Sequence, residues 1–71
     1  MKISQLQQKI GQRIRELRES KGITQQDLAA ACNFEKTNMS RIEAGRTNPT
    51  ISTLYKISQA LEITISELVD V

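Results

Sequence analysis

The sequence contains no histidine and no tryptophan, and its 71 residues include only one cysteine and one proline. A single cysteine cannot form an internal disulfide, which is typical of a protein that works in a reducing, cytoplasmic setting. With one cysteine and no histidine, no zinc site of the usual type can be assembled. The lack of histidine also excludes a Ser-His or Cys-His nucleophile pair. The carboxylates are scattered rather than clustered, so we expect no metal site, no cofactor and no catalytic residues.

Long apolar runs are missing as well. The apolar stretches span only a few residues, so we expect no signal peptide, no membrane span and no membrane partner. Aromatic residues make up 3% of the sequence, too few to form a stacking platform for RNA or single-stranded DNA. The length corresponds to a single domain, residues 1–71, with a modest core. No pattern points to a small-molecule ligand.

The charge is distributed unevenly along the sequence. Residues 1–46 carry nine lysines and arginines against five acids, whereas residues 47–71 carry one lysine against three acids. A basic first part fits a polyanionic partner. An excess of this size is also common on an ordinary solvated surface, so charge alone does not define the function.

Turn-forming residues divide the sequence into five predicted helices, and no segment alternates as a strand would. The first helix is predicted to begin at Ser4, with Ser4 and Gln7 as a capping box. It is predicted to end at Gly22, which can supply a left-handed residue. The second begins after the N-cap Thr24, because Asp27 stands three residues further on and suits the positive helix end.

The remaining helices follow similar signals. The third is predicted from about Lys36 to Ala44, after a turn at Asn33, a residue that tolerates positive φ. A fourth follows Thr50, and a short fifth is capped by Thr64 or Ser66. The predicted core residues are apolar side chains, most of them at helical spacing: Leu6, Ile10, Ile14, Leu17, Leu28, Ala29, Cys32, Met39, Ile42, Ile51, Leu54, Ile57, Ala60, Leu61 and Leu68.

The third predicted helix has one polar face. At about 100° per residue, four of its side chains fall within an arc of about 140°: Lys36, Thr37, Ser40 and Arg41. Lysine and arginine can donate to O6 and N7 of guanine, and the hydroxyls suit several bases, so this face predicts base contacts in duplex DNA. Taken alone, the same pattern also fits an ordinary amphipathic helix.

Two flanking segments suit the DNA backbone. Thr24 and Gln25 open the second helix, where backbone amides favour an anion and the side-chain amide can contact phosphate. The loop of Arg46, Thr47 and Asn48 after the third helix is polar or basic, and it can hold a second phosphate. The second and third helices, joined by a short turn, also have the spacing of a helix-turn-helix.

Four segments together resemble the Cro/C1-type helix-turn-helix family of phage repressors and bacterial regulators, also called the XRE family. They are IRELR at 14–18, GITQQDLA at 22–29, MSRIEAGRTNP at 39–49 and LYKISQAL at 54–61. The resemblance implies an all-α, lambda-repressor-like bundle of five helices with its third helix in the major groove. It implies a transcriptional regulator, and a repressor is the expected type. It also assigns the base and phosphate contacts to the residues named above.

Two positions depart from the family's pattern. Asn33 stands where glycine is usual, and Glu35 stands where serine or threonine is usual at the start of the third helix. A carboxylate near DNA repels phosphate unless it accepts a hydrogen bond from N4 of cytosine. Glu35 is therefore either a specificity element or a small penalty. The resemblance further implies a buried ion pair between Arg18 and Glu43.

The expected partner is double-stranded DNA with an inverted-repeat operator, bound by a homodimer, because one recognition helix covers few base pairs. Four apolar residues late in the sequence have no clear internal role, and they are candidates for the dimer surface: Tyr55, Ile65, Val69 and Val71. Alternatively, the fifth helix only folds back over the core. A different function also stays open, since an antitoxin or a transcriptional adaptor that binds a protein can use the same fold.

Overall fold

A computed structural model describes residues 2–71, which form five α-helices and no strand. The helices are α1 (Ile3–Ser20), α2 (Gln25–Ala31), α3 (Lys36–Glu43), α4 (Ile51–Ala60) and α5 (Ile65–Leu68). Helix α3 packs against both α1 and α2, and α5 packs against α4 and returns to α1. The predicted all-α class with five helices is confirmed. No helix in this part of the chain is both long enough and apolar enough to cross a bilayer.

Threonine side chains cap three of the helices where the sequence predicts caps. Oγ1 of Thr24 accepts a hydrogen bond from the backbone N–H of Asp27 at 3.0 Å. Thr50 caps α4 in the same way. At α5 the cap is Thr64, whose backbone N–H donates in return to Oε1 of Glu67 at 3.2 Å. Each cap satisfies a backbone donor that the first turn leaves free.

The predicted start of α1 is wrong. The N-cap is Lys2, whose backbone N–H donates to Oε1 of Gln5 at 3.0 Å, and Ser4 lies inside the first turn. The sequence contains a glutamine three residues after each candidate cap, so the same local signal fits both starts. The earlier start adds a backbone hydrogen bond from Leu6 to the carbonyl of Lys2 at 3.1 Å, which a helix capped at Ser4 would lack.

Four helices end in residues with positive φ. The next N–H along the chain then reaches the carbonyl five residues earlier, as in the bond of 3.1 Å from Ile23 to Arg18. Gly22 and Asn33 occupy this conformation at the predicted turns, with φ of 69° and 59°. Glu62 does so as well, with φ of 59°. That conformation was not expected, because glutamate lacks the preference of glycine and asparagine for positive φ.

The core fills the space between the helices with ten buried apolar residues. They are Ile14, Leu28, Ala29, Cys32, Met39, Ile42, Leu54, Ile57, Leu61 and Leu68. Ile10, Leu17 and Ala60 pack against this core and are half-buried. Leu6 and Ile51 are exposed, contrary to the prediction, and Ile51 is 78% exposed. Val69 is exposed, as expected for a residue with no clear internal role. Helical spacing identifies the inward face of a helix, but it does not show how far the neighbouring helices cover its ends.

Candidate nucleic-acid interface

Helix α3 is anchored by its apolar side and open on the other. Met39 and Ile42 are buried in the core. All four residues of the predicted polar face are exposed: Lys36, Thr37, Ser40 and Arg41. The structure therefore brings these side chains together on one accessible surface, which we call the α3 face.

The start of α2 adjoins the α3 face. Gln25 is half-buried, and it lines a shallow depression together with all four residues of the α3 face. A second depression is lined by Arg15, Arg18, Thr24, Gln25, Gln26 and Lys36. Gln25 and Lys36 belong to both, so the polar surface continues from α3 across the start of α2 to α1.

Arg15 extends this surface, and the sequence analysis did not single it out. Its side chain is exposed and lies 3.5 Å from the carboxylate of Glu19 on the same helix. The signal was present in the spacing, because Arg15 lies three residues before Arg18 and therefore on the same side of α1. Recognising it required knowing that this side of α1 borders α2 and α3.

The predicted phosphate-binding loop follows the C-terminal end of α3. Arg46 and Asn48 are exposed, and Thr47 is half-buried. The backbone N–H of Arg46 donates to the carbonyl of Arg41 at 3.0 Å, so the loop leaves directly from the last turn of α3. The loop thus continues beyond the C-terminal end of α3, whereas Gln25 approaches α3 from the start of α2 and shares a depression with all four residues of the α3 face.

Glu35 is the N-cap of α3, and its side chain makes no capping hydrogen bond. The residue is exposed, so its carboxylate stands free beside the first turn of α3. Its negative charge suits the positive end of the helix. This position is compatible with both roles considered for Glu35, the selection of a base and a small penalty against phosphate.

A buried ion pair joins α1 to α3 beneath this surface. Nε of Arg18 donates to Oε2 of Glu43 at 2.8 Å, and Nη2 donates to Oε1 at 3.1 Å. Each residue is 8% exposed. The hydrogen bond with Glu43 raises the pKa of the Arg18 guanidinium, an effect that desolvation opposes. The predicted buried ion pair is confirmed. Its geometry is bidentate, an arrangement for which the guanidinium of arginine is well suited.

Two further hydrogen bonds complete the cluster around this pair. Nη1 of Arg18 donates to the carbonyl of Ile23 at 2.8 Å. Nε2 of Gln25 donates to Oε1 of Glu43 at 3.2 Å. Within residues 2–71, every buried side-chain nitrogen and oxygen has a hydrogen-bond partner. The cluster therefore reaches from the core of α1 and α3 to a side chain that lines the exposed surface.

The single thiol is part of the core. Cys32 is buried, as predicted, and burial raises the pKa of its thiol, so the uncharged form is favoured. In the part of the chain that the structure describes, no three histidine, cysteine or acidic side chains come close enough to hold a metal ion.

The sequence profile of the helix-turn-helix family matches residues 14–68, from the middle of α1 through α5. The chain therefore belongs to the helix-turn-helix family, and its class of function is DNA binding and regulation of transcription. The resemblance seen in the sequence is confirmed by this match.

Relatives of the chain carry the same description. It is 42% identical over 60 residues to the uncharacterised HTH-type transcriptional regulator y4dJ from Sinorhizobium fredii (strain NBRC 101917 / NGR234), covering 84% of this chain and 78% of that protein. It is 39% identical over 62 residues to the HTH-type transcriptional regulator SinR from Bacillus subtilis (strain 168), covering 86% of this chain but only 56% of SinR. A large part of SinR therefore has no counterpart here.

Solved structures share the fold closely. The restriction-modification controller protein C.AhdI from Aeromonas hydrophila superposes with a TM-score of 0.91 at 32% identity, covering 96% of this chain and 99% of that one. A crystal structure of SinR, described as the master regulator for biofilm formation, in complex with DNA superposes with a TM-score of 0.79 at 39% identity. That match covers 86% of this chain and 98% of the SinR chain.

Proposed function

We propose that the chain represses transcription by binding a specific duplex DNA site with α3 in the major groove. The observation that carries this proposal is the α3 face, four exposed donors on a helix whose opposite side is fixed in the core. Lys36 and Arg41 contact guanine or phosphate, and Thr37 and Ser40 adapt to their neighbouring bases. The similarity to SinR, which has been crystallised with DNA, supports this arrangement.

The flanking segments fix the position of α3 on the DNA. Thr24 and Gln25 contact one phosphate at the start of α2, and Arg46, Thr47 and Asn48 contact another beyond the end of α3. Contacts to phosphate carry no sequence information, but they set the register and depth of the reading helix. The exposure of Thr24, Arg46 and Asn48 and the depression that Gln25 shares with the α3 face support this division of roles.

The proposed active form is a homodimer on an inverted-repeat site. Tyr55 and Val71 are 54% and 51% exposed, and Val69 is exposed as well, which supports an apolar contact near the C-terminal end. Ile65 packs partly against the core, so we leave it out of this surface. Two copies double the length of DNA that is read and raise specificity accordingly.

The cellular setting and the lack of an enzyme activity are also proposals. We infer a cytoplasmic protein without catalytic function from the single buried thiol and the absence of histidine in the sequence. The surface described above offers donors for binding a polyanion, and it offers no pairing of a nucleophile with a base.

Duplex binding at two salt concentrations tests the proposed function. A preferred site is first selected from random duplexes, and its affinity is then measured at about 50 and about 200 mM salt. Two neutralised phosphates for each copy of the homodimer, four in all, predict a loss of about a hundredfold between these conditions. The single strand of the same sequence is the control and should bind weakly. If the duplex does not bind, or binds with no dependence on salt, the chain is instead a protein-binding module such as an antitoxin or an adaptor.

A further inference from the structure

We propose that Glu43, although buried and paired with Arg18, positions Gln25 for its contact with DNA. This inference rests on the proposed function, because it requires Gln25 to contact the duplex. Glu43 makes no such contact itself, so its effect passes through the side-chain amide of Gln25. The proposal gives the buried ion pair a role in affinity for DNA as well as in stability.

The hydrogen bond between the two side chains defines the orientation of the amide. An ionised carboxylate only accepts hydrogen bonds, so Nε2 of Gln25, and not its oxygen, must face Oε1 of Glu43 at 3.2 Å. One N–H is therefore committed to Glu43. The second N–H and the amide oxygen remain for partners elsewhere.

The location of Gln25 makes this orientation useful. The residue is half-buried and lines both surface depressions, one shared with the α3 face and one shared with Thr24 and α1. A glutamine that moved freely there would lose its side-chain entropy when DNA binds. A glutamine held before binding avoids most of that loss, which is the general benefit of preorganisation.

The ion pair also compensates the negative charge of Glu43 near the DNA-binding surface. A lone carboxylate this close to the DNA-binding surface would repel phosphate and would be costly to bury. Glu43 receives two hydrogen bonds from the Arg18 guanidinium, so its charge is compensated within the protein. The pair can therefore hold an amide near the duplex with little net charge of its own.

A double-mutant cycle on DNA affinity tests the proposal. Arg18→Met with Glu43→Leu replaces the ion pair by apolar side chains, a change that often preserves the fold. It is combined with Gln25→Ala, and all variants are first shown by thermal melts to be folded. We expect the Arg18→Met/Glu43→Leu change to weaken duplex binding by about three- to tenfold when Gln25 is present, and by less than about twofold in combination with Gln25→Ala.

Gln26→Ala is the matched control for this cycle. Gln26 is the exposed neighbour that lines the same depression. Its effect on affinity should be the same with and without the ion pair. An equal loss from Arg18→Met/Glu43→Leu, whether Gln25 is present or is replaced by alanine, would overturn the inference. The inference would also be overturned if Gln25→Ala left the affinity for the duplex unchanged while Arg41→Ala weakened it. That result would not contradict the proposed function. If the wild-type protein binds no duplex, the proposed function itself fails.

Side-chain relaxation of the free wild-type protein provides a measurement that needs no variant. The ¹⁵Nε2 order parameter of Gln25 should be clearly higher than that of Gln26, which should fall below about 0.6 as for a flexible group. Equal, low values for the two glutamines would show that Glu43 does not hold Gln25, and the inference would then be wrong even if the variants of the ion pair do not fold.

Discussion

Arg18 and Arg15 lie three residues apart on α1, and each forms an ion pair with a glutamate, but the two pairs differ in their exposure to solvent. Arg18 is buried with Glu43, whereas Arg15 and Glu19 form an exposed pair at 3.5 Å. We expect Arg18→Met to lower the free energy of unfolding by about 3–5 kcal/mol, because it leaves a buried carboxylate unpaired. Arg15→Met, the matched control, should cost less than about 1 kcal/mol. Urea unfolding of both variants measures the difference.

That prediction has a clear contradicting result. If Arg18→Met and Arg15→Met lost similar, small amounts of stability, the Arg18–Glu43 pair would be solvated in solution rather than buried. Both changes remove one positive charge, so any effect of net charge on stability is common to the two variants.

Arg41 is the residue for which base recognition can be separated from general affinity. Arg41→Ala should cost about 1–3 kcal/mol at the preferred site and relax the preference at one base position. Gln25→Ala should weaken binding by a similar factor on all sequences, because a phosphate contact carries no sequence information. Competition among duplexes that differ by single base pairs measures both effects. An Arg41→Ala variant with full affinity and full preference would show that α3 is not the reading helix.

Single residues show where sequence reasoning succeeds and where it stops. The exposed α3 face follows from helical periodicity alone, because only the spacing along one helix matters. The contact between Gln25 and Glu43 was not predicted, since it joins two helices and depends on how closely they pack. The Arg18–Glu43 pair was expected only through the family resemblance, as charge and spacing within α1 or α3 cannot reveal it.

At the scale of elements, two glycines end their helices with nearly the same backbone but in different surroundings. Gly22 and Gly45 have φ of 69° and 73°. A Cβ on Gly22 would meet nothing within 4 Å, whereas a Cβ on Gly45 would lie 2.7 Å from Cα of Gln8 in α1. The turn after α3 therefore packs directly on the backbone of α1.

This difference predicts unequal effects of the same substitution. Gly22→Ala should cost about 1–2 kcal/mol, the strain of a left-handed alanine. Gly45→Ala should cost about 1–3 kcal/mol more, because the added methyl group also pushes α1 and α3 apart. Thermal melts of the two variants provide the comparison. Equal losses of stability would mean that the contact with Gln8 relaxes freely.

The ends of the helices were easier to predict than the contacts between them. Thr24, Gly22 and Asn33 act through their own backbone neighbours, so a local signal was sufficient. The predicted start of α1 was wrong because a glutamine stands three residues after both Lys2 and Ser4, and the sequence alone does not show which of the two caps the helix. Gly11 had no predicted role, yet a Cβ there would lie 2.5 Å from carbonyl oxygens of α3. That close approach exists only in the assembled fold.

At the scale of the whole molecule, the homodimer is the main expectation still to be tested. Val71→Asp places a charge among the exposed C-terminal apolar residues and should weaken dimer formation without unfolding the protein. Sedimentation with and without the selected site measures the change. Ile3→Asp is the control, since Ile3 is an exposed apolar residue at the other end of the sequence, and it should leave association unchanged.

The DNA provides a second readout of the same expectation. The selected site should be an inverted repeat whose half-site centres lie about 34–36 Å apart, one helical turn of the duplex. One protein bound per site on a sequence without internal symmetry would rule the dimer out. The fold class of the molecule was predictable from its sequence. Among the four residues predicted for the dimer surface, Ile65 packs against the core instead, and the other three remain a prediction.

Tyr55 gives the protein an optical signal of its own. With no tryptophan and one tyrosine in the sequence, the near-ultraviolet emission arises almost entirely from this side chain. Its ring is exposed on α4, and its hydroxyl oxygen accepts a hydrogen bond from Nε2 of Gln59 at 3.1 Å. Iodide should therefore quench the emission of the monomer efficiently, and association through this side of α4 should protect it. Self-association can then be followed by fluorescence at low concentration, without a label.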